Sequence, residues 1–177
     1  MEQIINFNQN FFELFQLEVG FEVDLERLRG QFQILQREVH PDRYADQDPR
    51  SQRLATQWSM RVNEAFAVLS KPLSRAIYLL GLANVELEQN PSLEPEFLFE
   101  QIELRENLDH LAEVKDLAGL VALLDGFASK LTAEAQQFGE CFAAGELDLA
   151  TRSVYRMQFL NKLQSAAQQT EEALLDD

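Results

Sequence analysis

A chain of 177 residues with 46% apolar content can bury one ordinary core or two small ones, and its net charge of −15 argues against a phosphate-backbone partner. One cysteine, Cys141, excludes an internal disulfide and any Cys-x-x-Cys zinc cluster, and no apolar run approaches the ~20 residues of a membrane span. Seven Gly and five Pro are too few for long disordered tracts, helix-forming residues dominate, and no stretch alternates as a strand does, so the expected fold class is all-α.

The N-terminus, Met1-Glu2-Gln3-Ile4-Ile5-Asn6-Phe7, has neither a basic n-region nor an Arg-rich presequence, which leads to the expectation of a bacterial-type cytoplasmic protein. Asn10-Phe11-Phe12-Glu13-Leu14-Phe15-Gln16-Leu17 reads as a short helix with Asn10 as cap and Glu13 three residues on. Asp24 caps the next helix, where Leu25, Leu28, Phe32, Leu35 and Val39 repeat at helical spacing and Arg29, Gln33, Gln36 and Arg37 form the outer face. Pro41 removes a backbone donor and pushes His40 out of the α region, so the helix ends near Val39 and a polar His40-Pro41-Asp42 loop follows. Asp48-Pro49 then starts a long helix with a stripe of Leu54, Trp58, Val62, Ala65 and Leu69. The short connection makes these two helices antiparallel neighbours.

Ser70 and Pro72 break the chain, Leu73, Ile77 and Leu80 begin a further helix that stays apolar through Leu82, and Asn90-Pro91-Ser92 marks a short connector over 83–94. Three helices are expected beyond it: about 95–111, from an Asp116 cap to about Phe142, and from beyond Gly145 and Asp148 to about Leu174. Charge is uneven along the chain. Residues 1–82 carry nine basic and eleven acidic side chains, residues 83–177 six and nineteen, and the segment 27–75 nine and five. A locally basic hairpin suits an acidic protein surface.

The helix beginning at Pro95 carries more apolar side chains than one core stripe needs. With Phe97 at zero on a wheel of about 100° per residue, Leu104, Leu108 and Leu111 fall within about 40° of it. Leu98, Ile102 and Phe99 fall at about 100–200°, among Glu103, Glu106 and His110. Large apolar residues ringed by carboxylates make a partner-binding patch, although Leu98 or Ile102 could instead cover the helix at 73–82. His110 reads as a partly exposed polar residue, and Cys141 as a small buried apolar one.

Reading His40 and Asp42 as an acid/base pair or as metal ligands fails on chemistry. The chain has two histidines, no accompanying nucleophile and no Gly-rich phosphate loop, and a pair on a loop tip is open to water. Neither enzymatic activity, a metal, a cofactor nor nucleic-acid binding is expected.

His40-Pro41-Asp42-Arg43, the segment Asn63-Glu64-Ala65-Phe66 and the step Arg75-Ala76-Ile77-Tyr78 together resemble a J-domain. Phe97-Leu98, Glu100 to Glu106 and Arg156-Met157-Gln158-Phe159-Leu160-Asn161-Lys162-Leu163 are similar to the C-terminal domain of HscB-type iron–sulfur co-chaperones, and the resemblance covers about residues 9–175. It implies a J-domain over 1–82, a connector over 83–94 and a client-binding three-helix bundle over 95–177. It further implies that the first unit stimulates ATP hydrolysis by a DnaK/HscA-type chaperone and that the bundle binds an IscU-type scaffold. The chaperone contacts would be His40, Pro41, Asp42, Arg43, Arg37 and Arg29; the client contacts would be Leu98, Phe99, Ile102, Glu103, Glu106 and Phe159. Arg43 departs from the Lys that commonly follows His-Pro-Asp, keeping charge but changing geometry. His110 stands where that family usually has an acid. The alternative within the J-protein class is a general presenter of unfolded substrates, but the flexible Gly/Phe-rich linker of such proteins is absent from this sequence.

Overall fold

The structure, a computed structural model, describes residues 8–89, 91 and 94–176; the segment Met1–Phe7 and the connector residues Asn90 and Ser92 lie outside them. The described residues form seven α-helices and one 3₁₀ turn with no strand, so the all-α expectation holds. The helices are α1 (Phe11–Leu14), α2 (Leu25–Glu38), α3 (Pro49–Leu69), α4 (Pro72–Leu82), α5 (Pro95–Glu113), α6 (Leu117–Ala143) and α7 (Leu147–Asp176), with the 3₁₀ turn at Pro41–Tyr44. The chain divides into two compact units after Leu79, inside α4. Among the described residues no single helix is long and apolar enough to cross a membrane.

In the first unit the helix starts follow local chemistry. Asn10 and Glu13 form a reciprocal capping box, each side chain accepting the other's backbone N–H at 2.9 Å. Asp24 accepts from Glu26 and Arg27 N–H, and Asp48 from Arg50 and Ser51 N–H. The Ser51 hydroxyl adds a 2.6 Å bond to Asp48, the main reason its carboxyl is held below the usual aspartate value.

The α2–α3 hairpin closes over Leu28, Leu35 and Val39 from one side and Ala55, Val62, Ala65 and Leu69 from the other, with Phe32 stacked on Phe66 at 4.2 Å. Four positions differ from the stripes expected. Leu25, in the first turn of α2, is 39% exposed, whereas Ala55 is sealed in the core while Leu54 and Trp58 are only half-buried. An alanine carries little weight in an apolar count yet fits where backbones run close.

α1 supplies Phe11, Phe12 and Leu14 to this core, and Phe11 stacks on Tyr78 at 4.5 Å while donating its N–H to the Tyr78 hydroxyl. Arg75 is the unit's buried cation. Its Nη1 donates to the Leu69 carbonyl at 2.7 Å, closing the C-terminal end of α3, and its guanidinium lies over the Phe21 ring at 4.9 Å. Burial pulls its pKa down from the ordinary arginine value, with Glu22 opposing; a guanidinium so placed still stays charged.

In the second unit α6 and α7, 27 and 30 residues long, form an antiparallel pair. Gly145, at φ +78°, reverses the chain between them while Gly145 and Glu146 donate back to Phe142 and Cys141. Leu108 of α5, Leu120 and Phe127 of α6, and Leu160, Leu163 and Ala167 of α7 make the bundle core. α5 has only Phe97 and Leu108 fully sealed, so it is the least anchored helix of the three.

Two glycines of α6 have opposite expected responses to alanine. A methyl group on Gly126 meets nothing within 4 Å, so Gly126→Ala should raise stability by about 1 kcal/mol through helix propensity alone. On Gly119 it would fall 2.5 Å from Leu111 Cδ2 and 2.6 Å from Asp116 Oδ2, while Asp116 Oδ1 caps the Gly119 N–H at 3.0 Å. Gly119→Ala should therefore displace the cap and lower stability by roughly 1 kcal/mol. Urea unfolding of the two variants checks the pair of signs.

Candidate functional site

The His40-Pro41-Asp42 tip is built by the end of α2. Val39 is the last residue to point into the hairpin core, and its N–H still bonds to Leu35 O. His40 is extended (φ −59°, ψ 126°), as a residue before proline must be. Sequence patterning foresees a loop; the chain instead makes a 3₁₀ turn, with the Arg43 N–H on His40 O at 3.0 Å. His40 caps that turn, its Nδ1 accepting the Asp42 N–H at 3.3 Å. The same nitrogen lies 3.6 Å from Asp42 Oδ2, an ion pair only if it carries a proton. A protonated Nδ1 has no lone pair for the cap, so the two arrangements exclude one another.

Side chains outside the tripeptide fix the tip. Arg43 Nη1 donates to Arg37 O at 3.2 Å and the Tyr44 hydroxyl to Glu38 O at 2.9 Å, satisfying carbonyls at the end of α2. Gln52 Nε2 bonds both Ala45 O and Gln47 O, tying the exit of the tip to α3. Asp42 projects into solvent, 90% exposed, with His40 at 52%. Pro41, Arg43, Arg37 and Arg29 are also exposed, giving a polar tip beside a cationic helix face. In the sequence Arg43 stands as a chaperone contact implied by the resemblance, with no part in building the tip, and Tyr44 and Gln52 have no role. Arg43 and Tyr44 sit in the turn following a helix end, which is the one sequence signal that points to carbonyl capping.

The second candidate surface lies on α5. Leu98, Phe99 and Ile102 are 44%, 68% and 54% exposed, and Glu103, Glu106 and His110 are exposed around them. The core stripe on the same helix is formed by buried Phe97 and Leu108 with half-buried Leu104 and Leu111. Phe159 differs from the other apolar candidates. It is half-buried, packs against the bundle core and meets the Phe97 ring edge-on at 5.8 Å, because its flank of α7 faces the start of α5. The Arg156 guanidinium lies on Phe97 at 5.0 Å. Partial burial pulls the Arg156 pKa down, but hydrogen bonds and charge from Glu134 and Glu94 outweigh it and hold the value above that of an ordinary arginine.

Cys141 is buried, with its sulfur accepting from Gln137 Nε2 at 3.1 Å. Among the described residues no three His, Cys, Asp or Glu side chains gather where they could hold a metal ion. The tip and the patch are both open to solvent and neither forms an enclosed pocket.

Comparison with known proteins agrees with this architecture. Residues 93–168 match the family model described as the HSCB C-terminal oligomerisation domain. The chain is similar to the chaperone HscB from Vibrio cholerae, with 34% identity, 94% of this chain and 99% of that chain covered, and a TM-score of 0.86. The human co-chaperone protein HscB superposes with a TM-score of 0.88 at 24% identity, over 96% of this chain and 85% of that one. The Jac1 co-chaperone from Saccharomyces cerevisiae gives 0.74 at 21%, over 92% and 96%. The last two share the fold; the identity and full-length cover of the first, together with the family match over α5–α7, show that the chain belongs to the HscB family of co-chaperones.

Proposed function

We propose that this chain, a member of a co-chaperone family of iron–sulfur cluster assembly, couples a DnaK/HscA-type chaperone to an IscU-type scaffold protein. The tip residues His40, Pro41 and Asp42, with Arg43, Arg37 and Arg29, engage the chaperone's ATPase domain. Leu98, Phe99, Ile102, Glu103 and Glu106, with the exposed part of Phe159, hold the scaffold. The observation that carries this reading is the state of the two surfaces: a charged tip held in one form by side-chain caps, and three large apolar residues left in water on α5.

The chain performs no bond chemistry in this scheme. It favours the hydrolysis-competent state of the chaperone, and that requires a contact stronger in that state than in the other. Holding the scaffold on the same chain raises its effective concentration at the chaperone. Steady-state ATP turnover by a purified DnaK-type chaperone tests the reading. Turnover should rise when this chain is added and rise further with an IscU-type scaffold; an unchanged rate with both present would overturn it. If a denatured protein competes the scaffold off the α5 patch, the general unfolded-substrate role is the correct one instead.

A further inference from the structure

α5 carries the apolar patch but has few anchors of its own. Its cap, Glu94, makes no side-chain bond to the first amides of the helix, and Phe97 is the one fully sealed residue in its first three turns. The Glu94 carboxylate is committed elsewhere. One oxygen accepts from Arg152 Nη1 at 2.5 Å and the other from Arg156 Nη2 at 3.1 Å, two arginines one turn apart on α7. Arg156 Nη1 reaches on to Glu134 of α6 at 3.3 Å, and the face of its guanidinium covers Phe97. One planar cation thus joins the start of α5 to α6 and α7, and it does so one residue before Leu98.

A guanidinium suits this task because its fork can serve two carboxylates while its face lies on a ring. It is only 34% exposed, so water and salt screen it less than a free surface pair. Without it, Glu94 and Glu134 would face each other with a single arginine, Arg152, near them, and one face of Phe97 would open to solvent.

We propose that Arg156 is a positioning residue for the α5 patch, holding the first turns of the helix so that Leu98, Phe99 and Ile102 are presented preformed. This rests on the reading that the patch binds the scaffold. A partner that binds only the docked form of α5 has its apparent dissociation constant raised by the inverse of the docked fraction. Loosening α5 therefore shows in two independent readouts, which must agree.

The test uses full-length Arg156→Gln, Arg156→Lys and Glu94→Gln, with amide hydrogen exchange across the chain and affinity for a purified IscU-type scaffold. Arg156→Gln should weaken scaffold binding about tenfold, with the docked fraction reported by amides 98–102 falling by the same factor. Protection in the cores of α6 and α7 should hold. Arg156→Lys should recover part of both losses, and Glu94→Gln, which cuts the clamp from its other end, should reproduce both. Weaker binding with protection intact would make Arg156 a direct contact and overturn the proposal, as would lost protection with unchanged affinity. A Leu98/Phe99/Ile102 alanine variant run alongside separates the cases: if it binds like the parent, the patch reading itself has failed.

Discussion

Asp42→Asn should remove the chain's ability to stimulate a DnaK-type ATPase while leaving scaffold affinity within about twofold of the parent. The side chain is 90% exposed and caps no helix, so its loss costs the fold little, within about 0.5 kcal/mol for a surface substitution of this kind. The tip keeps its shape in the variant because the bonds that hold it come from His40, Arg43, Tyr44 and Gln52. Only a charge is lost, and the group it lies against is the exposed His40 imidazole of the same tip, at 3.6 Å. Stimulated turnover and scaffold binding are measured on the same preparation. Full stimulation by the variant would move the chaperone contact away from the tip. Loss of both activities together would show that the two surfaces do not act separately.

Replacing Leu98, Phe99 and Ile102 together by Ala should have the converse effect. Apolar anchors at the centre of an interface cost about 1–2 kcal/mol each when truncated, so the triple variant should lose on the order of 10²–10⁴-fold in scaffold affinity. Its thermal midpoint should hold or rise slightly. All three side chains are exposed in the free protein, and alanine is a better helix former than phenylalanine or isoleucine. Unchanged scaffold affinity in calorimetry would remove the patch from the interface, and a large fall in midpoint would mean that the three support the fold.

Much of the architecture can be read from local chemistry. The caps at Asn10, Asp24, Asp48 and Asp116, the stop at Pro41 and the helical period from Leu28 to Leu69 each depend on a few neighbouring residues, and the helices begin and end accordingly. The surplus of apolar residues on α5 is also a local fact, visible on a wheel. What escapes is long-range or small. Arg152 and Arg156 meet Glu94 across 58 and 62 residues, and charges carry no periodicity that would pair them. Nothing near Arg75 in the sequence shows that its donor closes on the Leu69 carbonyl and its plane lies over Phe21. Ala55 hides because the apolar count weights size, and Phe159 is drawn half inward by the ring of Phe97, which no wheel of α7 alone contains.

No residue of the Pro41–Tyr44 turn is buried; its form rests on donors handed to neighbouring carbonyls. Recognition and robustness are thereby uncoupled in this molecule. A substitution that hardens the hairpin against heat or denaturant acts on a core that holds no fully buried residue of the turn, and one that removes the exposed Asp42 charge can leave a melting curve intact. Thermal resistance is for that reason a poor proxy for competence here, and variants are better ranked by what they do to a partner.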